Sequence, residues 1–175
     1  MSVKTIIAKR RSIRKYKDKK VSSTLVKELV DAARLAPSGN NAQPARYFIV
    51  KDEDTKSKLK KSKVFKQDFV YSAPIIIVCC GDSQAYPRAK FEAGFDDSFT
   101  IRTIKDVAIA AQNLVLRATE LGLGTCYVGW LHKDKIKKVL GISKNYVVPF
   151  VITVGYPDER PKARPRKNPK ELLLS

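Results

Sequence analysis

The run from Ile104 to Leu121 limits the folds open to this chain more than any other stretch. Ile104, Val107, Ala108, Ala111, Leu114, Val115, Ala118 and Leu121 recur at helical spacing, which sets them on one face of a long helix. Alanine is frequent and charge is sparse after Asp106, so this helix should be central and mostly buried, with Gly122 as its left-handed terminator. A buried helix needs a partner surface. IIIVCC (75–80) is a short, continuous apolar run, as expected of a strand covered on both faces. RYFIVK (46–51) and VVPFVITVGY (147–156) read as further strands, and TCYVGW (125–130) as a short strand or extended turn.

The remaining elements fill in around these. Residues 3–9 suit a short helix. A second runs from an N-cap at Ser22 or Ser23 to Pro37, carrying Leu25, Val26, Leu29, Val30 and Ala33 on one face. One or two helices are expected between Glu53 and Tyr71, and a small one over Asp134 to Leu140 that Gly141 ends. PSGNNAQP (37–44) is a polar turn, and residues 81–100 read as a loop or mobile cover. No internal repeat and no Gly/Ser linker divides the chain. The expectation is one α/β or α+β domain over residues 1–175, built around a small sheet.

Charge is the other conspicuous property. With 35 Lys+Arg against 17 Asp+Glu, the formal net charge is 35 − 17 = +18. Such an excess invites a nucleic-acid reading, because cations gain affinity by releasing counterions from phosphates. The group from Lys51 to Lys66 is mostly lysine at spacings of a solvated helix face. Residues 1–20 and 158–171 are richer in arginine, which grips phosphate with a planar fork of donors. Two such ends suit a small phosphorylated ligand as well as a polymer. Aromatics do not interleave with the basic clusters in a stacking pattern, which weighs against nucleic acid. No stretch reaches the roughly 20 apolar residues of a membrane span, and the start lacks a signal-peptide core. Three cysteines make a poor disulfide framework and point to a reducing, cytoplasmic setting.

The residues of self-sufficient catalysis are missing. The one histidine, His132, gives no metal cluster, and no GxGxxG or GxxxxGK[ST] occurs. Cys79 and Cys80 lack CxxC spacing and read as small buried residues. LGLGTC follows a helix, unlike a dinucleotide fingerprint. A cofactor can supply chemistry that side chains do not, and four segments point to one. Arg10 to Tyr16 alternates arginines around Ser12. Pro37 to Pro44 offers side-chain amides to a heterocycle. Gly122 to Trp130 lets backbone approach a flat ring, and Arg160 to Lys167 forms a second phosphate clamp.

RRSIRKY, APSGNNAQP, the helix ending in ELGLGTC, and VGYPxxRPKxRPRK occur in that order from about Ile6 to Glu171. Together they resemble the nitroreductase family of FMN-dependent oxidoreductases. The resemblance implies an α+β sandwich, a mostly antiparallel central sheet flanked by helices. It implies an intertwined homodimer with FMN at the subunit interface, residues 156–175 forming a C-terminal extension to the dimer and phosphate site. Arg10, Ser12, Arg164 and Arg166 match positions at the FMN phosphate, Arg11 joins them as a cofactor-binding candidate, and Arg14 matches the cation near the flavin N1/O2 edge. Pro37, Ser38, Gly39, Asn41 and Gln43 match a cofactor-contacting turn, Ser38 and Gly39 serving the other subunit's flavin. Cys126, Tyr127, Val128 and Gly129 match the segment under the isoalloxazine, with a backbone N–H near Val128 and Gly129 for N5. Arg11 and Lys15 also suit plain solvation, Asn40 turn-shaping alone, and Cys126 backbone and bulk. Ala45 and Tyr127 stand where relatives often carry tryptophan. The implied activity is hydride transfer from NADH or NADPH through FMN to a small electron-poor acceptor, without a metal. Other branches of the family, flavin reductases and reductive dehalogenases, are the neighbouring alternatives.

Overall fold

The computed structural model describes residues 1–86 and 98–174. Helix α1 (Val3–Lys9) is followed by α2 (Ser23–Arg34), whose N-cap Ser22 accepts the Leu25 N–H at 3.2 Å through Oγ. Strand β1 (Ala45–Val50) leads into α3 (Glu53–Lys61), and β2 (Ile75–Asp82) precedes α4 (Phe99–Glu120). Strand β3 (Gly124–Val128), α5 (Lys133–Leu140) and β4 (Tyr146–Gly155) complete the α-helices and strands of the described residues. The four strands lie in the order β1-β2-β4-β3 with every neighbour antiparallel. The expected α+β sandwich with its antiparallel sheet is what the chain adopts.

Strand β2 carries the architecture because both of its faces are covered. Alternation sends Ile75, Ile77 and Cys79 into a cluster with Leu29 of α2 and Val107, Ala111, Leu114 and Ala118 of α4. Ile76, Val78 and Cys80 go the other way, against Leu59 of α3 and Ile136 of α5. Helix α4 is buried at Val107, Ala111, Leu114, Val115 and Ala118 of the expected stripe, whereas Ala108 is exposed and Ala110 is buried instead, and it ends at Leu121, after which Gly122 adopts φ +75°. It starts earlier than its periodicity suggests, because Ser98 caps it by accepting the Ile101 N–H. Most of the segment 81–100 lies outside the described residues. At its edges, 81–82 belong to β2 and 99–100 to α4 rather than to a loop. Between Glu53 and Tyr71 there is one α-helix, then a short 3-10 turn at Asp68–Val70.

The basic segment after α1 is extended and laid along β3. Ser12 pairs in parallel with Thr125, and the Ile13 N–H donates to the Thr125 carbonyl at 2.9 Å. It lies close because β3 and β4 present facing glycines, Gly124 opposite Gly155. A Cβ on Gly124 would stand 2.7 Å from Ile13, and one on Gly155 2.7 Å from Tyr16. The Tyr16 hydroxyl donates to the Ile13 carbonyl at 2.6 Å and shares a 2.7 Å hydrogen bond with Thr153. Lys17 N–H to Tyr156 O at 2.9 Å and Asp158 N–H to Lys15 O at 3.0 Å then zip this segment to the chain beyond β4.

Candidate functional site

That zipper brings the two arginine-rich ends together around one cleft of about 460 Å³. Its walls carry Arg10, Arg11, Ser12 and Arg14 from one end, and Lys162, Arg164 and Arg166 from the other, with Ile7 and Ala8 as apolar floor. Among the described residues, six cations and no carboxylate line it. A cluster of like charges with nothing between them is unfavourable by itself, and it suits a small multiply charged anion that accepts charge-assisted hydrogen bonds. Arg11 is partly committed elsewhere: its guanidinium donates to the Ala8 and Arg10 carbonyls at 2.7 and 2.8 Å, closing the end of α1. Arg166 donates to the Arg164 and Pro165 carbonyls at 3.2 Å, which stiffens its arm.

The segment from Cys126 to Gly129 leads away from the same cleft. Cys126 is buried beside Ser12, Arg14 and Arg10; burial raises its thiol pKa, and those neighbours offset only part of the rise. At neutral pH it is therefore a thiol and not a nucleophilic thiolate. Val128 is buried in the core beneath the sheet. Tyr127 turns to the opposite face, edge-on to Phe150 with centroids 5.1 Å apart. A Cβ on Gly129 would meet nothing within 4 Å, so the backbone here borders open space. Phe69 belongs to this neighbourhood too, its ring 5.9 Å from the Arg14 guanidinium. Nothing in the sequence marks Phe69 out, since it is one of several aromatics in a segment without periodicity.

The turn at Pro37 to Gln43 is elsewhere in the protomer. Pro37, Ser38 and Gln43 line a second cavity of about 390 Å³, with α2, Tyr47, and Asp106 and Ala110 of α4. Asn40, Asn41 and Gln43 all have positive φ, between 48° and 53°. Three such residues in one turn store strain of about 1 kcal/mol or more each, which the surroundings must hold in place. Ser38 Oγ accepts the Gln43 N–H at 2.9 Å, and Asp106 accepts the Gly39 N–H at 2.9 Å and the Tyr86 hydroxyl at 2.8 Å. Asp106 thus anchors the turn, a role invisible in its sequence context. Among the described residues the buried Tyr47 hydroxyl has no hydrogen-bond partner.

Arg10, Arg11, Ser12, Arg14, Arg164 and Arg166 therefore meet in one protomer beside Cys126, while the 37–43 turn forms a separate surface. Among the described residues, no group of three His, Cys, Asp or Glu could hold a metal ion. No helix there is long and apolar enough to cross a membrane.

Comparisons with known proteins converge. The nitroreductase family model matches residues 7–64 and 59–156. The NADPH-flavin oxidoreductase of Vibrio harveyi is 30% identical over 94% of this chain and 69% of its own length. A solved nitroreductase family protein from Clostridium difficile superposes with a TM-score of 0.83 at 28% identity, covering 99% of this chain and 97% of that one. The structure of an NADPH:FMN oxidoreductase from Vibrio harveyi complexed with NAD⁺ gives 0.84 at 27% identity, covering 99% and 76%.

Proposed function

The chain belongs to the nitroreductase family, and from that premise we propose that it is an NAD(P)H-dependent flavin oxidoreductase that holds FMN in the arginine cleft. The observation that carries the cofactor assignment is the donor set: among the described residues, six cations, a serine hydroxyl and no carboxylate around one small cavity. Such a set fits a phosphate monoester, and the open backbone at Gly129 leaves room for a flat ring that a side chain there would fill.

When bound, FMN would supply hydride-transfer chemistry between NADH or NADPH and an electron-poor acceptor such as a nitroaromatic or quinone, in alternating half-reactions. The protein's part is to bind and to tune. Arg10, Ser12, Arg164 and Arg166 hold the phosphate, with Arg11 closing the wall behind them. Arg14 is a fixed cation for the ring edge where charge accumulates on reduction, stabilised in advance and at no cost of reorganisation. Phe69 braces its guanidinium. The backbone N–H near Val128 and Gly129 would donate to a nitrogen of the flavin ring, and Cys126 and Tyr127 would contribute backbone and bulk. No acidic side chain is needed, since water can protonate the acceptor.

In this reading the protein works as a homodimer. The 37–43 turn lines a different cavity from the arginine cleft, so Pro37, Ser38, Gly39, Asn41 and Gln43 would serve the flavin of a second copy. Leu172, Leu173 and Leu174 are 68, 74 and 101% exposed, and β1 is a sheet edge. An intertwined dimer gives both a partner, with residues 156–175 as an extension of the single domain that contributes to the dimer and to the phosphate site. An anaerobic absorbance spectrum before and after NADH or NADPH tests the assignment: flavin bands that bleach within seconds support it, and a colourless protein that takes up no added FMN refutes it. Supplying nitroaromatic, quinone or free flavin then separates the acceptor classes.

A further inference from the structure

We propose that Glu159 is a positioning residue that locks the two cationic arms of the cleft to each other, and that it acts as a hydrogen-bond acceptor and not through its charge. Its carboxylate Oε1 accepts the backbone N–H of Arg14 at 2.5 Å and that of Lys15 at 3.2 Å. It stands just beyond the zipper in which residues 15–17 pair with 156–158. It also stands just before Arg160, where the arm bearing Lys162, Arg164 and Arg166 departs. One oxygen therefore ties the backbone of Arg14 to the root of the opposite arm, across residues 145 apart in sequence.

A carboxylate is an odd choice at this place. The cleft gathers six cations for an anion, and a negative charge beside it weakens the potential that draws the anion in. Among the described residues Glu159 makes no ion pair within 4 Å, although Lys17, Lys19 and Arg160 line a surface cleft with it. Its hydrogen-bond partners are amides of the chain. A neutral side-chain amide oxygen can accept the same two N–H groups. The charge is thus incidental to the lock and unfavourable to the ligand. Removing the charge alone and removing the acceptor with it should therefore have different effects.

The binding half of the test rests on the FMN reading; the other half does not. Hydrogen exchange of the ligand-free protein is measured by mass spectrometry for wild type, Glu159→Ala and Glu159→Gln, followed by FMN titration of each. In Glu159→Ala, peptides covering 12–17 and 156–166 should exchange faster together, by about tenfold, the size of effect carried by losing one acceptor shared by two backbone N–H groups. Peptides of β2 and α4 should be unchanged, and Glu159→Gln should match wild type. For FMN, the dissociation constant should rise about tenfold in Glu159→Ala and stay equal or fall in Glu159→Gln. Both substitutions tightening FMN would make the role purely electrostatic and overturn the proposal. So would Glu159→Gln behaving like Glu159→Ala, or only one of the two segments loosening. If wild type bound no FMN, the functional reading would fail while exchange still decided on Glu159.

Discussion

Gly124 and Gly129 sit on the same short segment and should respond oppositely to one added methyl group. At 124 the new Cβ would lie 2.7 Å from Ile13 Cγ1 and 2.8 Å from Ile13 Cβ. Carbon atoms rest at about 3.5–4.0 Å, so Ile13 must retreat by roughly 1 Å. Rotating its side chain moves Cγ1 but not Cβ, so the backbone itself has to lift. That stretches the Ile13 N–H bond to Thr125 O, now 2.9 Å. Overpacking of this kind costs about 1–3 kcal/mol, and alanine in a strand recovers about 0.5–1 kcal/mol over glycine. The net expectation for Gly124→Ala is a loss of about 1–2 kcal/mol, or about 2–8 °C in Tm for a chain of this size. At 129 a Cβ meets nothing within 4 Å, so Gly129→Ala should change stability by no more than about 0.5 kcal/mol while weakening FMN binding. Urea unfolding of the ligand-free proteins followed by FMN titration measures both. A Gly124→Ala protein as stable as wild type, or a Gly129→Ala protein equally destabilised, would refute the idea that facing glycines seat the basic segment.

Three further outcomes follow from the site and the core. Arg14→Ala should slow reduction of bound flavin more than Arg166→Ala, which should mainly weaken FMN affinity; equal losses of both properties in both variants would contradict that division. Asp106→Ala removes the acceptor of the Gly39 N–H and the Tyr86 hydroxyl, so the strained turn at 38–43 should become a preferred site of limited proteolysis with little change in overall unfolding. Stability should fall in alkali: burial pushes the Cys80 thiol up to about 11 and raises Cys79 and Cys126 as well. A raised folded pKa means the neutral thiol is favoured in the fold, a contribution intact below about pH 9 and lost as pH rises through the folded values. The urea midpoint should drop between pH 8 and pH 10.5, and an unchanged midpoint would count against buried, neutral thiols.

The elements with a period or an unbroken apolar run were legible in the sequence. Val107, Ala111, Leu114 and Ala118 repeat at helical spacing and are buried, and 75–80 is apolar throughout because α2 and α4 cover one face of β2 and α3 and α5 the other. The first turn of α4 escaped because it breaks its own pattern, with Ile101 44% exposed and Thr103 fully buried, its hydroxyl satisfied by the Phe99 carbonyl. Arg10, Ser12, Arg14, Arg164 and Arg166 could be singled out because arginine alternation and motif order are local properties. Glu159, Asp106 and Phe69 could not. Each acts on a residue far away in sequence, and a single acid or aromatic carries no spacing from which its partner can be read. The facing of Gly124 and Gly155 depends on strand register, which no one strand encodes.

The pairing of residues 14–17 with 156–159 has a kinetic consequence. Contacts of such sequence separation are the most expensive to close and form after local helices and hairpins are in place. Synthesis runs from the N-terminus, so Arg10, Ser12 and Arg14 leave the ribosome long before the strand and arm that fix them. The sheet of β1 and β2 with α2 can collapse meanwhile, but the anion site exists only once the last strand has docked. Ligand binding should therefore act mainly on the unfolding rate, holding shut a clasp that the folding transition state has yet to fasten.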